Sequence, residues 1–308
     1  MQIYNISINS QYQELVQYKD PQWPVVFYHT NIRKNIVGYI PLHWHEELQF
    51  VIVTGGHVCF QIHGEEINLN EGEGIFINSG VIHEAHADSC EGRYICWNVG
   101  VHIASSYIEK KYIGILIQNE KVPFIPFSPS INWQNDIMEA IKKGFVAYEN
   151  KSFGCELVIT QQYLFCIERL VTNIVPNHGQ KKVVYDPRVK EILRYMHHHY
   201  GSKITLDDVA NVAYLSRAET NRLFKKHLGR TPFQYLLAYR LDRSKELLVR
   251  TTSSITEISL EVGFLSTSYF IEKFKAAFGM TPNQFRQVEK KFKAFWQVAS
   301  YKEILVFY

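Results

Sequence analysis

Two stretches fifty residues apart, SRAETNRLFKKHLGRTPFQ (Ser216–Gln234) and STSYFIEKFKAAFGMTPNQ (Ser266–Gln284), can be laid over one another without a gap. Ser216, Phe224, Lys225, Gly229, Thr231, Pro232 and Gln234 recur as Ser266, Phe274, Lys275, Gly279, Thr281, Pro282 and Gln284. Seven identities in one register mark an internal repeat, the signature of a duplicated supersecondary unit. Each copy reads as a short helix, a tight turn and a second helix: TLDDVANVA, YLS and RAETNRLFKKHLG, then SITEISLEV, GFLS and TSYFIEKFKAAFG. The Ser216 hydroxyl is placed to cap its helix, Gly263 to supply a turn conformation costly for other residues, and Gly229 and Gly279 to stop the helices. The repeat predicts two helix-turn-helix units.

Charge points the same way. Residues 1–180 hold 11 Lys and Arg against 18 Asp and Glu, a balance of −7, while residues 181–308 hold 22 against 12, a balance of +10. A basic C-terminal part beside an acidic N-terminal part suits a polyanionic partner, and charge alone fits double-stranded DNA or an anionic membrane surface equally well. No run of 18 uninterrupted apolar residues is present, so nothing reads as a membrane span. The opening MQIYNISINSQYQ lacks a basic segment followed by an apolar one, which makes the cytoplasm the expected location. Cys59, Cys90, Cys96, Cys155 and Cys166 form an odd set without CxxC spacing and are expected to be reduced thiols.

Upstream, from Pro24 to about Val101, the runs LQFVIVTGG, HVCFQIHG, EEINLNEGEG, IFINSG and RYICWNVGV follow one another at roughly ten-residue spacing, the pattern of a small all-β barrel or sandwich. The period then becomes helical over residues 131–150 and 154–175. Ile137, Ile141, Phe145 and Tyr148 form one apolar stripe, and Leu157, Ile159, Leu164, Ile167 and Leu170 lie on or near another. The segment VPNHGQKKVVYDP, residues 175–187, reads as a linker. The fold class expected is therefore α+β with two domains. A β-barrel occupies residues 1–125, a helical dimerisation segment residues 126–178, an all-α double helix-turn-helix domain residues 179–290, and an apolar tail without a firm role residues 291–308.

From about Asp186 to Arg286 the chain resembles the AraC/XylS family of transcription regulators. The resemblance rests on the S-x5-R-x-F-K-K run from Ser216 to Lys226, the connecting stretch TPFQYLLAYRLDRSKELL and the VGF…SYF…FK…G-TP-x2-FR finish. It implies sequence-specific DNA binding, with the early residues of each recognition helix at base edges and nearby cations on phosphates. In the first unit the candidates are Ser216, Arg217, Ala218, Asn221 and Arg222, with Lys225 and Lys226 as phosphate contacts. Arg222 suits a bidentate contact to guanine and Asn221 a contact to adenine; a phosphate contact alone is the plainer reading of Arg222. In the second unit they are Ser266, Thr267, Ser268, Glu272 and Lys275, with Tyr269 and Phe270 expected partly in the core. Two positions depart from the family. Glu272 stands where Arg is common, and Thr220 stands where a large apolar residue is usual, so the first recognition helix is expected to pack less firmly.

In GYIPLHWHEELQFVIVTGG, His43, His45, Glu47 and Gln49 sit at even spacing and would share one face of a strand; GEGIFINSGVIH adds His83. These two motifs resemble the cupin-type barrel that many regulators of this family carry for effector binding. The resemblance implies a polar pocket lined by His43, His45, Glu47, Gln49 and His83, closed by an aromatic such as Trp97 or Trp44, and a small polar effector with carbohydrate as the first class. Metal-dependent cupins would place ligands at His43, His45, Gln49 and His83. Gln49 replaces the expected Glu and weakens the set for a hard cation, so no metal or other cofactor is expected. Plain structural histidines are the remaining alternative. The run His197, His198 and His199 reads as an exposed helix end.

The function expected is a non-enzymatic, effector-controlled transcription activator that works as a homodimer on double-stranded DNA, with RNA polymerase as a further partner and no membrane. The alternative for the helical segment is that it packs back on the barrel rather than forming a dimer. The alternative for the whole chain is a metal-dependent cupin isomerase or oxygenase fused to a DNA-binding domain.

Overall fold

The computed structural model describes residues 6–9, 13–34, 38–87, 92–119, 122–174, 186 and 188–288. Nearly all of the expected linker, together with Cys90 and the apolar tail, lies outside them. The chain divides into two compact units, the first reaching Lys190 and the second opening at Glu191; Leu223–Gly229 cluster with the first but continue a helix of the second.

Among the described residues, the first unit has nine strands in two antiparallel sheets. β1 (Val25–Asn31), β8 (Arg93–Val99), β3 (Leu48–Gly55), β6 (Gly74–Ile77) and β9 (Phe124–Phe127) form one in that order, and β2 (Ile40–His43), β7 (His83–His86), β4 (His57–Ile62) and β5 (Glu65–Asn70) the other. Between β4 and β5, His63 and Gly64 both take positive φ, +53° and +76°, the two-residue turn that matches strand twist in a hairpin. The run LQFVIVTG of β3 is apolar almost throughout because both of its faces are covered. Leu48, Phe50 and Ile52 face a helical layer, while Val51 and Val53 face the second sheet. The same alternation on β8 sends Ile95, Trp97 and Val99 to the helices and Tyr94 and Cys96 to the interior between the sheets.

A helical stretch, α1 (Ser106–Ile108), a π turn (Glu109–Ile113) and α2 (Gly114–Ile117), precedes β9. Helices α3 (Asn132–Asn150) and α4 (Cys155–Ile174) follow, close to the spans the periodicity predicts. Ile137, Met138 and Ile141 of α3 and Ile159, Tyr163, Cys166, Ile167 and Leu170 of α4 are buried in one cluster with Phe27, Phe50, Phe76 and Trp97 of the five-stranded sheet. The apolar stripes therefore pack on the sheet. Leu157 is a correction: it is 77% exposed, because the buried stripe of α4 starts two residues later, roughly half a turn round the helix. Gly144 stands where α3 comes nearest the sheet; a Cβ there would meet the Phe27 ring at 3.0 Å.

Among its described residues the second unit is helical: α5 (Arg188–His198), α6 (Leu206–Val212), α7 (Arg217–Leu228), α8 (Pro232–Arg250), α9 (Ile255–Glu261) and α10 (Thr267–Phe278), with residues 282–288 also helical. The repeated identities are largely terminators and core. Ser216 accepts from the Glu219 N–H at 3.2 Å while its own N–H donates to the Glu219 carboxylate at 3.0 Å. Thr231 with Gln234 and Thr281 with Gln284 make the same reciprocal cap, and Pro232 needs no N–H at a first helical position. Gly229 and Gly279 take φ +67° and +72° at the helix ends, and Phe224 and Phe274 are fully buried. The turn positions differ: Gly263 has φ +86°, whereas the first unit uses Tyr214 at φ +53°. Leu241, Leu248, Ile258, Val262, Phe264, Phe270 and Phe274 form the core of the second repeat.

Candidate functional site

The segment carrying His43, His45, Glu47 and Gln49 is not one strand. β2 ends at His43, the chain bends over residues 44–47, and β3 begins at Leu48, so the segment crosses from one sheet to the other. The single-face reading is corrected accordingly, yet the crossing still gathers its polar side chains. His43, His45, Gln49 and His83 are all buried. The His43 and His83 ring centroids are 4.2 Å apart, His45 lies 5.7 Å from His43 and 5.2 Å from His83, and His43 and His83 are register partners across β2 and β7.

Each ring is held the same way. His43 Nδ1–H donates to the Pro41 carbonyl at 2.8 Å, His45 Nδ1–H to the Glu47 carbonyl at 3.1 Å and His83 Nδ1–H to the Val81 carbonyl at 2.9 Å. A carbonyl only accepts, so these contacts fix the tautomer and leave Nε2 as a lone-pair acceptor. Burial first, and then neighbouring imidazole, lowers His43 well below the ordinary histidine value and His45 to about 3; burial alone lowers His83 to about 4. All three are neutral at pH 7.

A small cavity of about 10 Å³ adjoins the cluster, lined by His43, Gln49 and His83 with Glu14, Tyr28 and Cys96 among others, but not by His45. Glu14 is 8% exposed, its carboxylate lies 3.6 Å from His43 Nε2, and burial, with Glu47 nearby, pushes it up to about 8. Gln49 donates Nε2–H to Cys96 Sγ at 3.0 Å, and the Cys96 thiol, raised by burial, donates to Asn98 at 3.1 Å. Glu47 is half-buried beside the cluster and accepts from the Tyr18 hydroxyl. Trp97 is not brought here. It is the register partner of Phe50 on the helix-facing side of β8, stacked on Phe27 at 4.9 Å. Glu14, Tyr28 and Cys96 went unnoticed in the sequence. Cys96 follows from alternation only once Trp97 is placed on the helix side; Glu14 precedes the barrel and gives no periodic signal.

In the second unit, Arg217, Ala218, Arg222, Lys225 and Lys226 are exposed on α7, and Asn221 is half-buried with its amide on the Arg217 carbonyl at 3.0 Å. Arg217 is held by a two-pronged ion pair to Asp207 of α6. Arg222, Lys225 and Lys226 make no ion pair among the described residues. Thr220 is fully buried and donates to the Ser216 carbonyl at 2.9 Å. On α10, Ser266 is the cap, Thr267 is half-buried with its hydroxyl 3.0 Å from Ser259, and Ser268, Glu272 and Lys275 are exposed. Phe270 is fully buried, but Tyr269 is 47% exposed and belongs to the outer face. Lys273 binds the Glu272 carboxylate at 3.0 Å and lies 5.1 Å from the Tyr269 ring centroid, so the acidic residue that departs from the family pattern has a neutralising neighbour the sequence reading missed. His197 is also a correction. It is buried, stacked on Tyr239 at 4.2 Å and hydrogen-bonded to the Tyr235 hydroxyl at 2.8 Å.

Residues 28–100 match the family described as AraC-like ligand binding domain, and residues 209–288 match the helix-turn-helix domain. The uncharacterized HTH-type transcriptional regulator YdeC of Bacillus subtilis (strain 168) is 38% identical over 287 residues, covering 92% of this chain and 99% of that protein. The chain belongs to the AraC family of transcription regulators. The melibiose operon regulatory protein of Escherichia coli (strain K12) is 24% identical to this AraC-family chain over 265 residues, 81% of this chain and 84% of that protein. The xylose operon regulatory protein of the same organism is 34% identical over 106 residues, 34% of this chain and 27% of that protein. The chain is thus a transcriptional regulator with a ligand-binding domain, and among its described residues no helix is long and apolar enough to cross a membrane.

Proposed function

We propose that this regulator reads its operator with α7 and α10, that Arg222 contacts a guanine edge, and that a small polar ligand at the histidine end of the barrel sets the response. The reading rests on one observation above all. Two helices with matched caps present polar outer faces in one unit, and a buried imidazole cluster with open acceptors waits in the other.

Carbohydrate is the ligand class to try first, because relatives are named for the melibiose and xylose operons. A cavity of about 10 Å³ holds no more than about one water, whereas ligand pockets run to about 300 Å³ and above. A sugar would therefore have to displace the wall that Ile6 and Glu14 supply. That requirement gives the ligand different affinities for two arrangements of the segment, which is what coupling needs. Activation through RNA polymerase is the output the family resemblance implies.

A homodimer is part of the same proposal. With the inner stripes of α3 and α4 buried, Val146, Phe153, Leu157 and Val158 remain exposed and offer an apolar surface to a second copy. The test of the ligand is a thermal-shift screen of mono- and disaccharides on the full chain. A ligand at a hundred times its Kd stabilises by about 2.7 kcal/mol, so a shift of several degrees with a matching change in DNA affinity is expected. No shift and no change across the screen would reject carbohydrate.

A further inference from the structure

We propose that Glu272 accepts a hydrogen bond from the amino group of a cytosine in the major groove, so that one and the same position of the repeat selects different bases in the two units. The inference rests on the reading that α7 and α10 face DNA, and adds which base the second helix takes.

The fifty-residue register places Glu272 where the first unit has Arg222. Each is the sixth residue of a twelve-residue helix that opens directly after a capping serine, Ser216 or Ser266. Each also stands between two fully buried neighbours, Thr220 and Phe224 in α7, Phe270 and Phe274 in α10. Two residues along an α-helix turn it by about 200°, so a side chain between such anchors leaves the helix away from the core. Arg222 and Glu272 are accordingly exposed, the Glu272 side chain at 67%. The fold presents the two side chains alike, with opposite chemistry: Arg222 offers only donors and Glu272 only acceptors.

A carboxylate is repelled by phosphate and by the acceptor edge of guanine. Cytosine shows the major groove an amino donor with no acceptor beside it, whereas adenine sets its amino donor next to N7 and calls for a side chain that both accepts and donates. Cytosine is thus the base that fits Glu272. The residue that follows changes in step. Half-buried Leu223 comes after Arg222, but Lys273 comes after Glu272, and its ammonium binds Glu272 Oε1 at 3.0 Å while lying 5.1 Å from the Tyr269 ring centroid. The Glu272–Lys273 pair is neutral, which removes the charge penalty for approaching a polyanion. Because the ion pair is made through Oε1, Oε2 remains for the base.

The experiment selects DNA from a random-sequence pool with the full chain as wild type, Glu272→Gln and Glu272→Arg, each checked for folding by circular dichroism. The wild type should recover a two-element site with a preferred cytosine in one element. Glu272→Arg should turn that cytosine to guanine and leave the other element as it was, and Glu272→Gln should lose the cytosine preference. The site selected by the wild type is then titrated at fixed salt with that cytosine replaced by N4-methylcytosine, which keeps the pairing hydrogen and blocks the free one. The replacement should weaken the wild type by about tenfold and leave Glu272→Gln unchanged. Loss of a negative charge raises affinity for all DNA, and an unrelated duplex measures that gain separately. A two-element site with the same bases for all three proteins overturns the proposal, as does an equal loss on N4-methylcytosine for wild type and Glu272→Gln; either leaves the reading of DNA by α7 and α10 standing. A folded wild type that recovers no common sequence overturns both.

Discussion

At the scale of single residues, the histidines of the two units are buried by opposite devices. His45 and His83 keep a buried Nε2 without a hydrogen-bond partner, whereas His197 spends its ring nitrogen on Tyr235 and its face on Tyr239. Burial, with Arg243 nearby, holds His197 well below the ordinary histidine value. The sign follows. Above about pH 6.5 the imidazole is neutral in both folded and unfolded chains and pH has no leverage. Below it the unfolded chain takes up a proton that the native chain refuses, so stability falls, by up to about 1.4 kcal/mol per pH unit for one such site. Unfolding of the full chain followed from pH 7.5 to 5.0 should show a flatter pH dependence in His197→Gln than in the wild type; equal slopes would mean that His197 is not the group responsible. Tyr163 tests burial without a partner. Its hydroxyl is buried and unpaired while its ring packs edge-on to Trp97. Tyr163→Phe should keep the packing, remove the orphan oxygen and stabilise the first unit by about 1 kcal/mol, read from the urea midpoint; a loss of that size would show that the hydroxyl has a partner.

Helices and strands were legible from the sequence to the extent that their signals were local. The fifty-residue repeat was readable because caps, stops and a buried Phe are each set by near neighbours: Ser216 with Glu219, Gly229 at positive φ, Phe224 in the core. The strand spacing and the helical periods at α3 and α4 came through for the same reason. The failures share a cause as well. Placing His43 through Gln49 on one face assumed an uninterrupted strand, and the bend over residues 44–47 between two sheets was invisible to alternation. Trp97 could be assigned to the helix side only through its pairing with Phe50, and Leu157 left the buried stripe because the face of α4 is chosen by the sheet it meets. Glu14, outside every motif, is joined to the site by tertiary contact alone. That choice of face leaves a surface to account for. Leu157→Glu puts a charge in the exposed apolar face of α4 without touching the core, so if the proposed homodimer forms through this face, sedimentation velocity should show a dimer for the wild type and a monomer for the variant, with the melting temperature of the first unit little changed. A monomeric wild type would reject the proposed homodimer, and a dimer indifferent to this substitution would place its interface elsewhere.

For the whole molecule, the charge division marks the C-terminal part as the one a polyanion would meet. The basic part spends many of its cations internally: Arg217 on Asp207, Arg240 on the Tyr200 and Ser202 carbonyls, Arg243 on Glu246, and Arg286 on the Leu248 and Ser253 carbonyls. What remains outward on α7 is Arg222, Lys225 and Lys226, and on α10 Lys275, with Glu272 tempered by Lys273. The two helices are therefore expected to contribute unequally. The first should carry most of the affinity and its salt dependence, and the second should add preference through Ser268, Tyr269 and Glu272. The most direct test of sequence-specific reading by two units is selection of DNA from a random-sequence pool with the full chain, followed by titration of the selected site with wild type and Arg222→Ala at fixed salt. The expected result is a bipartite site whose two elements lie about one helical turn apart, with Arg222→Ala weakened by about 1–3 kcal/mol and its preference for guanine lost at one position. Recovery of no common sequence, or a variant with unchanged affinity and unchanged preference, would contradict the account.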